Sequence, residues 1–466
     1  MGWAPARLPD VALITMGQSP PGTTYNKIGH GLPFFQGKAD FGSRHPSVRV
    51  YCSAPNKLAA AGDVLISVRA PVGPTNLADA DCAIGRGLAA VRPSPGIPSE
   101  FLLFYLRTIE TDLASEGTGS TFTAISRKNL DAITIPLPPL AEQRRIAERV
   151  DALLAQVDAV RARLARATTL LKRFRQSVLA AACSGRLTED WRITGAGGHD
   201  WAATTLSAES TLITSGSRGW ARYYSDSGAR FIRSEDINSD RLTPVPTAFV
   251  QLPTGSTEGM RTRVRRYDVL VTITGANVTK CAFVLGEPGE AYVSQHVALV
   301  RPRCQAMAPY LWLVLVSPTD GRAQLVEAAY GAGKPGLNLT NVGNVRISLP
   351  PLAEQHEIVR RVEALFALAE SIEARVTTAS ASAEKLTQAI LARAFRGELV
   401  PTEAELARRE GRDYETGAQL LEWIKVERAA SGGTPKARGR RGKAAPGMRF
   451  EVVDAAEAPT DGANGS

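Results

Sequence analysis

The sequence predicts an α+β protein in which two similar globular domains are separated by two long helices that form an antiparallel coiled coil. Three observations lead to this prediction: an internal repeat, a helical pattern of apolar residues within each copy, and a weaker likeness between the segments that precede the copies. With 466 residues the chain is too long for a single hydrophobic core, so two or three domains are expected.

The internal repeat is the strongest signal. Residues 138–187 and 350–399 both begin with Pro-Pro-Leu-Ala-Glu-Gln, and 21 of the 50 paired positions are identical without a gap. A repeat of this kind has to be recognised before domains are assigned, because it indicates that one structural unit occurs twice.

Each copy predicts one long helix. Its apolar residues recur at alternating steps of three and four, the a and d pattern of a helix that packs along a partner helix. Glu142 and Glu354 stand where the helix dipole favours an anion, and Gly185 and Gly397 suit the left-handed residue that ends a helix. The predicted seam residues are Ile146, Val150, Leu153, Val157, Val160 and Leu164 in the first copy and Ile358, Val362, Leu365, Ile372, Val376, Leu386 and Ile390 in the second.

Antiparallel pairing within the chain is the simplest way to bury both seams. The alternative, two amphipathic helices of an ordinary helical core, is less favoured because such helices rarely keep strict heptads over this length. About 40 residues at ~1.5 Å each make a rod of roughly 60 Å. The helices are therefore predicted to be a spacer and not an active site.

Five segments follow one another along the chain. Their predicted bounds are 1–137 for the first globule, 138–194 for the first helix, 195–349 for the second globule, 350–408 for the second helix, and 409–466 for a C-terminal helix with a basic, disordered tail. In the first globule, strands are predicted at residues 11–15, 63–68 and 88–91 and a helix at residues 101–106.

The second globule repeats the plan of the first at lower similarity. Asp268-Val-Leu-Val-Thr matches Asp63-Val-Leu-Ile-Ser, and Val300-Arg-Pro matches Val91-Arg-Pro. Because the helices match better than the globules do, we expect two related modules that recognise different ligands at a fixed separation.

Composition favours a polyanionic partner, since the formal net charge is +9 and the pI is about 9.4. The five cysteines are odd in number and include no C-x-x-C pair, which fits a reduced interior better than a disulfide framework or a zinc ribbon. The first ten residues lack a signal-peptide pattern, and the longest apolar runs are too short to span a bilayer. We therefore expect a cytoplasmic protein with no membrane partner.

Catalytic motifs are absent from the sequence. Gly331-Ala-Gly-Lys is followed by Pro335, so the hydroxyl that a phosphate-binding loop offers to magnesium is missing. No G-x-S-x-G, H-E-x-x-H or Asn-Pro-Pro-aromatic motif occurs, and the histidines are scattered. We expect no catalytic residue and no metal site in this chain.

Along residues 1 to about 430 the sequence resembles the specificity subunit of type I restriction–modification systems. The resemblance rests on the helix headed by Pro-Pro-Leu-Ala-Glu-Gln, which occurs twice, and on short motifs of the first globule. These motifs are Gly17-x-Ser19-Pro20, Pro33-Phe34-x-Gln36-Gly37, residues 62–73, and Gly119-Ser120 shortly before residues 133–139.

The resemblance implies that the globules are target-recognition domains, each reading one half of a split DNA sequence. It implies that the helices act as a ruler and as the docking surface for two modification (methyltransferase) subunits, with restriction subunits joining for cleavage. S-adenosylmethionine would belong to the methyltransferase, ATP and magnesium to the restriction subunit, and no cofactor to this chain. Thr274-Gly-Ala-Asn replaces Arg69-Ala-Pro-Val in the second globule, so a different half-site is expected there.

Candidate DNA-binding residues follow from base chemistry: Arg and Lys pair with guanine, and Asn and Gln with adenine. Glycine-rich segments around residues 120 and 334 allow close approach to a phosphate. The candidates are Gln36, Lys38, Arg69, Arg86 and Ser120 in the first globule and Arg218, Arg233, Asn277, Lys280, Gln295, His296 and Lys334 in the second. Two other classes remain open at this point: a coiled-coil adaptor that binds proteins, and a self-sufficient DNA enzyme.

Overall fold

The computed structural model describes residues 2–115, 124–194, 200–331 and 335–430. It divides into two compact units, Met1–Arg149 with Leu391–Ser466, and Val150–Ile390. The predicted basic tail, with its run of cations at residues 436–443, lies outside the described residues.

The first globule contains eleven strands and four helices in its described part. The strands are β1 Ala4–Arg7, β2 Ala12–Met16, β3 Tyr25–Asn26, β4 Leu32–Phe35, β5 Tyr51–Cys52, β6 Leu58–Ala59, β7 Val64–Ser67, β8 Thr75–Leu77, β9 Cys82–Ile84, β10 Leu88–Pro93 and β11 Thr134–Leu137. The helices are α1 Leu8–Val11, α2 Ser99–Thr108, α3 Glu110–Ser115 and α4 Arg127–Ala132. The three predicted strands and the predicted helix coincide with β2, β7, β10 and α2 and are confirmed.

Three sheets organise this globule. One is antiparallel with strand order β2-β10-β7-β8, the second has the order β3-β5-β4-β9-β6 with β4 parallel to β9, and the third pairs β1 with β11. Strand β7 is a continuous apolar run, Val-Leu-Ile followed by Ser67, and every residue of it is buried, as expected for a strand covered on both faces.

The first long helix, α5, spans Leu140–Cys183 and is followed by α6, Glu189–Ile193. The second globule then contains strands β12 Ala202–Thr205, β13 Ser210–Ser215, β14 Tyr224–Ser225, β15 Ala229–Ile232, β16 Ile237–Asn238, β17 Arg241–Leu242, β18 Phe249–Val250, β19 Val269–Thr272, β20 Cys281–Phe283, β21 Ala291–Val293, β22 Val297–Pro302 and β23 Arg346–Leu349. Its helices are α7 Ala308–Val316, α8 Gly321–Ala328 and α9 Leu339–Gly343.

The two globules share one plan. The second has an antiparallel sheet β13-β22-β19-β20, a sheet β14-β18-β15-β21 in which β15 runs parallel to β21, and a β12–β23 pair. A two-pronged ion pair recurs at equivalent positions: Arg92 binds the buried Asp63 at 2.8 and 3.0 Å, and Arg301 binds the buried Asp268 at 2.8 and 2.7 Å. The predicted likeness of the globules is confirmed.

The second long helix, α10, spans Leu352–Phe395 and is followed by α11, Glu403–Glu410, and α12, Gly417–Ala430. Helices α5 and α10 each have 44 residues, and the glycines predicted to end them have left-handed φ angles, 78° at Gly185 and 72° at Gly397. In the part of the chain that the structure describes, no helix combines the length and the apolar character that crossing a membrane requires.

The two long helices pair antiparallel in the second unit. Arg161 donates to Thr387 at 3.0 Å and contacts Glu384 at 2.9 Å. Further along α5, Arg175 contacts Glu373 at 2.9 Å. Rising residue numbers on α5 meet falling numbers on α10, which confirms the predicted direction of pairing.

The register of the seam needs a correction at three positions. Val160, Ile372 and Leu386 are 45%, 37% and 51% exposed, whereas the neighbouring residues Arg161, Glu373 and Thr387 reach the partner helix. An α-helix has 3.6 residues per turn, so a strict seven-residue pattern drifts off the seam unless the helices supercoil. The other predicted seam residues are buried at Ile146, Val150, Val157, Ile358, Val362 and Ile390 and half-buried at Leu153, Leu164, Leu365 and Val376.

The glutamate and the glutamine of the repeated motif are buried in both copies and are tied to their own unit. The Glu142 carboxylate accepts from Trp3 Nε1 at 2.7 Å, and Glu354 accepts from Trp201 Nε1 at 3.1 Å. The next residue in each copy is a buried glutamine that donates to the carbonyl of the first motif proline at 2.8 Å. The repeated residues therefore fix where each helix begins.

Candidate nucleic-acid interface

A three-residue turn, Gly85-Arg86-Gly87, joins β9 to β10 in the first globule. The Gly85 N–H donates to the Phe35 carbonyl at 2.8 Å, and the Leu88 N–H closes the turn on the Gly85 carbonyl at 3.0 Å. From the other side, the Val68 N–H donates to the Gly87 carbonyl at 2.9 Å. The ends of β4 and β7 thus hold the backbone of the turn, while Arg86 is exposed.

The second globule has the same turn in Ser294-Gln295-His296, between β21 and β22. The Ser294 N–H donates to the Ile232 carbonyl at 2.9 Å, the Val297 N–H to the Ser294 carbonyl at 3.1 Å, and the Ile273 N–H to the His296 carbonyl at 2.9 Å. All three bonds correspond to those of the first turn. Arg86 and Gln295 therefore occupy equivalent positions on equivalent backbones.

Two glycines allow this geometry. A Cβ at Gly17, after β2, would lie 2.2 Å from the Gly85 carbonyl oxygen, and a Cβ at Gly216, after β13, would lie 2.3 Å from the Val293 carbonyl oxygen. No side chain fits at such distances, so only glycine lets the strand end pass this close to the turn.

An open cleft of about 880 Å³ adjoins the turn of the first globule, through Gln36 and Ala70. Among its lining residues are Lys27, Lys38 and Arg49, while Asp40, which binds Arg49 at 2.6 Å, is the one carboxylate. The two lysines are exposed, so the cleft carries a net positive charge suited to a phosphate backbone.

The remaining candidates of the first globule differ in position. Arg69 is exposed, one residue beyond Val68 and beside the turn. The guanidinium of Arg86 has no partner among residues 2–115 or the other described ranges, and only its backbone N–H is engaged, with Ser19 Oγ at 3.3 Å. Ser120 lies outside the described residues.

In the second globule several candidates are held by the protein itself. Arg233 donates to Thr247 Oγ1 at 3.0 Å and pairs with Glu235. Asn277 donates to the Ser234 carbonyl at 3.0 Å. Lys280 is half-buried and Arg218 is exposed on the loop after β13, whereas Lys334 falls outside the described part of the chain.

The turn of the second globule carries a network of three exposed or half-buried side chains. Gln295 Nε2 donates to His296 Nε2 at 3.0 Å, and His296 Nδ1 contacts Thr274 Oγ1. An amide nitrogen can only donate, so Nε2 of the neutral imidazole accepts and its Nδ1–H donates to the threonine.

Three residues of this surface were not predicted from the sequence: Lys27, Arg49 and Thr274. Lys27 and Arg49 both line the cleft because strands β3 and β5, which adjoin them, pair with each other. The pairing of two-residue strands cannot be predicted from the sequence. Thr274 did mark a departure from the first globule, but its contact with His296 depends on the meeting of β19 and β22.

The cysteines and the potential metal ligands of the described residues do not form a reactive or metal-binding site. Burial raises the pKa of the Cys82, Cys183 and Cys281 thiols to about 12, so they are protonated near neutral pH. Over the described ranges, no group of three or more His, Cys, Asp or Glu side chains could hold a metal ion.

A second cleft, about 530 Å³ and largely apolar, has Trp312 and Phe366 in its lining. Its charged lining residues are Arg230 and Arg241 against Asp240, Glu287, Glu363 and Glu370, so its net charge is negative and does not suit a polyanion.

Comparison with known proteins gives one consistent family. A family model described as the type I restriction modification DNA specificity domain matches residues 1–168 and 251–378. The type I restriction enzyme EcoBI specificity subunit of Escherichia coli is 38% identical over 353 residues, covering 72% of each chain. The EcoKI specificity subunit of Escherichia coli (strain K12) is 33% identical over 374 residues, covering 77% of this chain and 78% of the relative.

Solved structures share the fold. A chain from a study of complex assembly and conformational transition of the type I restriction–modification system superposes with a TM-score of 0.65, at 23% identity, covering 85% of this chain and 98% of that one. The HsdS subunit from Thermoanaerobacter tengcongensis gives 0.51 at 24% identity, covering 85% and 97%.

Proposed function

Since this chain belongs to the family of type I restriction–modification DNA specificity subunits, we propose that it recognises a DNA sequence split into two different halves. Each globule reads one half through side chains on its turn and adjoining cleft. The separation between the halves is set by the paired helices α5 and α10.

The observation that carries this proposal is the duplicated turn with exchanged side chains. Equivalent backbone hydrogen bonds present Arg86 in one globule and Gln295 in the other. A protein that bound the same ligand twice would keep the same side chain at this position. A shared scaffold with different hydrogen-bonding groups is what reading two unlike half-sites requires.

Charge supports DNA as the ligand. The cleft beside Gln36 combines Lys27 and Lys38 with a single paired carboxylate, and the chain as a whole has a formal charge of +9. Contacts to phosphates supply affinity and base-edge contacts supply sequence. The exposed cations and the turn side chains provide one group for each role.

Partner subunits dock on the long helices. Apolar side chains off the paired face are exposed on both helices in the second unit, at Val160, Leu170, Leu368, Ile372 and Leu386. Leu368 and Ile372, four residues apart, lie on the same face of α10, and exposed apolar residues that adjoin one another support a docking surface there. By the repeat, two methyltransferase subunits dock, one on each copy, and restriction subunits join through them.

The chemistry resides in these partners and the chain itself is non-catalytic. S-adenosylmethionine belongs to the methyltransferase subunits, which flip the target adenine out of the duplex. ATP and magnesium belong to the restriction subunits. The assembly works in the cytoplasm, where its DNA is found.

The test is selection of bound duplexes from randomised DNA by the full-length chain, alone and co-purified with the methyltransferase subunits of its system. The expected result is two short defined blocks with a gap of constant length and undefined sequence, and an affinity that falls steeply as salt rises. One continuous block would refute two separate readers.

Two other functions make different predictions in this assay. A coiled-coil adaptor for proteins would enrich no sequence and show no salt-dependent affinity for duplex DNA. A self-sufficient DNA enzyme would methylate or cleave the selected duplex when the purified chain alone is supplied with S-adenosylmethionine or with ATP and magnesium.

A further inference from the structure

We propose that Arg86 reads a guanine in the half-site of the first globule and that Gln295, oriented by His296, reads an adenine at the corresponding place in the half-site of the second. This inference rests on the proposed function and adds to it the base that each turn recognises.

The first half of the inference rests on Arg86. Its guanidinium has several N–H donors and no acceptor of its own, and no carboxylate or carbonyl in the described ranges engages it. Guanine presents two neighbouring acceptors, O6 and N7, in the major groove, and the planar fork of arginine matches both. The backbone that carries Arg86 is held by three hydrogen bonds, so the fork starts from a fixed position.

The second half of the inference rests on the network around Gln295. A glutamine amide has two N–H donors and one carbonyl acceptor. One N–H is used by His296 Nε2, and the imidazole is fixed in turn by Thr274. One N–H and the carbonyl oxygen are left without a partner in the described part of the chain. These two groups match the major-groove edge of adenine, where N7 accepts a hydrogen bond and the N6 amino group donates one.

The residues at the ends of β4 and β15 lie beside the two turns and could also contact bases, but only one of them is free to do so. At the end of β4, Gln36 is exposed and its side chain has no partner in the described ranges. Its equivalent at the end of β15 is Arg233, which is bound to Thr247 and Glu235.

Arg69 is also exposed beside the first turn, but its counterpart Thr274 is engaged by His296. In the described ranges, the turns are where both globules present a side chain with free hydrogen-bonding groups at equivalent positions, Arg86 and Gln295, and the difference between the half-sites is therefore assigned to them.

His296 is a positioning residue in this account. Without the ring, Gln295 can rotate its amide, and a rotated amide offers donor and acceptor in the wrong order for adenine. The structure gives no corresponding partner to Arg86, whose following residue is Gly87, because an arginine fork needs no such choice.

The test uses the full-length chain in the duplex selection described above, with Arg86→Gln and Gln295→Arg as single variants. The wild type should enrich a guanine in one half and an adenine in the other. Arg86→Gln should remove the guanine preference and give at most a weak preference for adenine, because Gly87 supplies no ring to orient the new amide, and it should leave the second half unchanged. Gln295→Arg should replace the adenine with guanine and leave the first half unchanged. The expected change in base preference is roughly 5- to 150-fold, the range of one two-pronged base contact.

Controls separate sequence reading from charge and from folding. Lys172→Gln removes the same unit of charge from an exposed position on α5, outside both turns, and should alter neither half. Arg86→Lys keeps the charge and should retain guanine with a smaller preference. His296→Ala should weaken the adenine preference in the second half alone, and thermal melting identifies any variant that has lost its fold.

Failure of the proposed function and failure of the base assignment give different results in this experiment. If the wild type enriches no split sequence, the proposed function fails and this inference with it. If it enriches a split sequence that stays the same in Arg86→Gln and Gln295→Arg, the function stands and the assignment of these two residues is overturned.

Discussion

Replacing Glu354 by alanine should destabilise the start of helix α10 more than any surface change on that helix. The carboxylate is fully buried (0% exposed) and accepts hydrogen bonds from Thr188 Oγ1 at 2.7 Å, from Trp201 Nε1 at 3.1 Å and from Arg192. Its removal leaves the buried Thr188 and the indole without an acceptor and the guanidinium without its counter-charge.

The magnitude follows from these contacts. Breaking a buried ion pair by removing one partner costs about 3–5 kcal/mol. The lower end applies here because the Arg192 side chain is 29% exposed and keeps its bond to the Gly185 carbonyl at 2.6 Å. We expect a loss of about 3 kcal/mol for Glu354→Ala, with Glu363→Ala, an exposed carboxylate on the same helix, within about 0.5 kcal/mol of wild type.

Hydrogen exchange measures this loss locally. Amides in the first turns of α10 and in the β12–β23 pair should lose protection by about a hundredfold in Glu354→Ala. Adding Arg192→Ala should restore part of it, because the unpaired charge is then gone. A loss below fivefold in the single variant, or a double variant that is simply additive, would refute the role given to this carboxylate.

Three further predictions concern the scaffold. Arg301→Ala should lower the melting temperature more than Arg92→Ala, since the Arg301 side chain is 19% exposed and that of Arg92 49%; the opposite order would contradict this burial argument. At pH 8 a thiol reagent should label only Cys304, the half-buried cysteine, and should reach all five after denaturation, because the other four cysteines are buried in the folded state. Burial also raises the pKa of Cys82, Cys183 and Cys281 to about 12, which leaves almost no thiolate at these three. Inserting four residues after Leu164 and four after Glu384 adds ~6 Å to each helix and should lengthen the undefined gap in the DNA site; an unchanged gap would argue against the ruler.

Local patterns in the sequence were sufficient to predict the scaffold. Helices of 44 residues with apolar periodicity, closed by Gly185 and Gly397, depend on neighbours three and four positions away, and these are visible in a sequence. The sequence did not reveal that Val160, Ile372 and Leu386 lie off the seam while the residues that follow them contact the partner helix. Which face of a long helix meets its partner depends on how the two helices supercoil.

The functional surface was only partly predictable. Arg86 and Gln295 were named from their chemistry, yet their equivalence was hidden because insertions shift the alignment of the globules. The spacing is 199 residues between Gly17 and Gly216 but 209 between Arg92 and Arg301. The buried partners of the repeated glutamates were also hidden, since Trp3 lies 139 residues from Glu142 in the sequence.

The central claim, that each globule reads one half of a split site by itself, can be tested by exchanging residues 1–137 for the corresponding segment of a family member with a different target. Methylated adenines are then mapped across the genome of cells that carry the hybrid chain and its methyltransferase subunits. The account predicts a new sequence in one half, with the other half and the gap length unchanged. A change in both halves, or in neither, would contradict it.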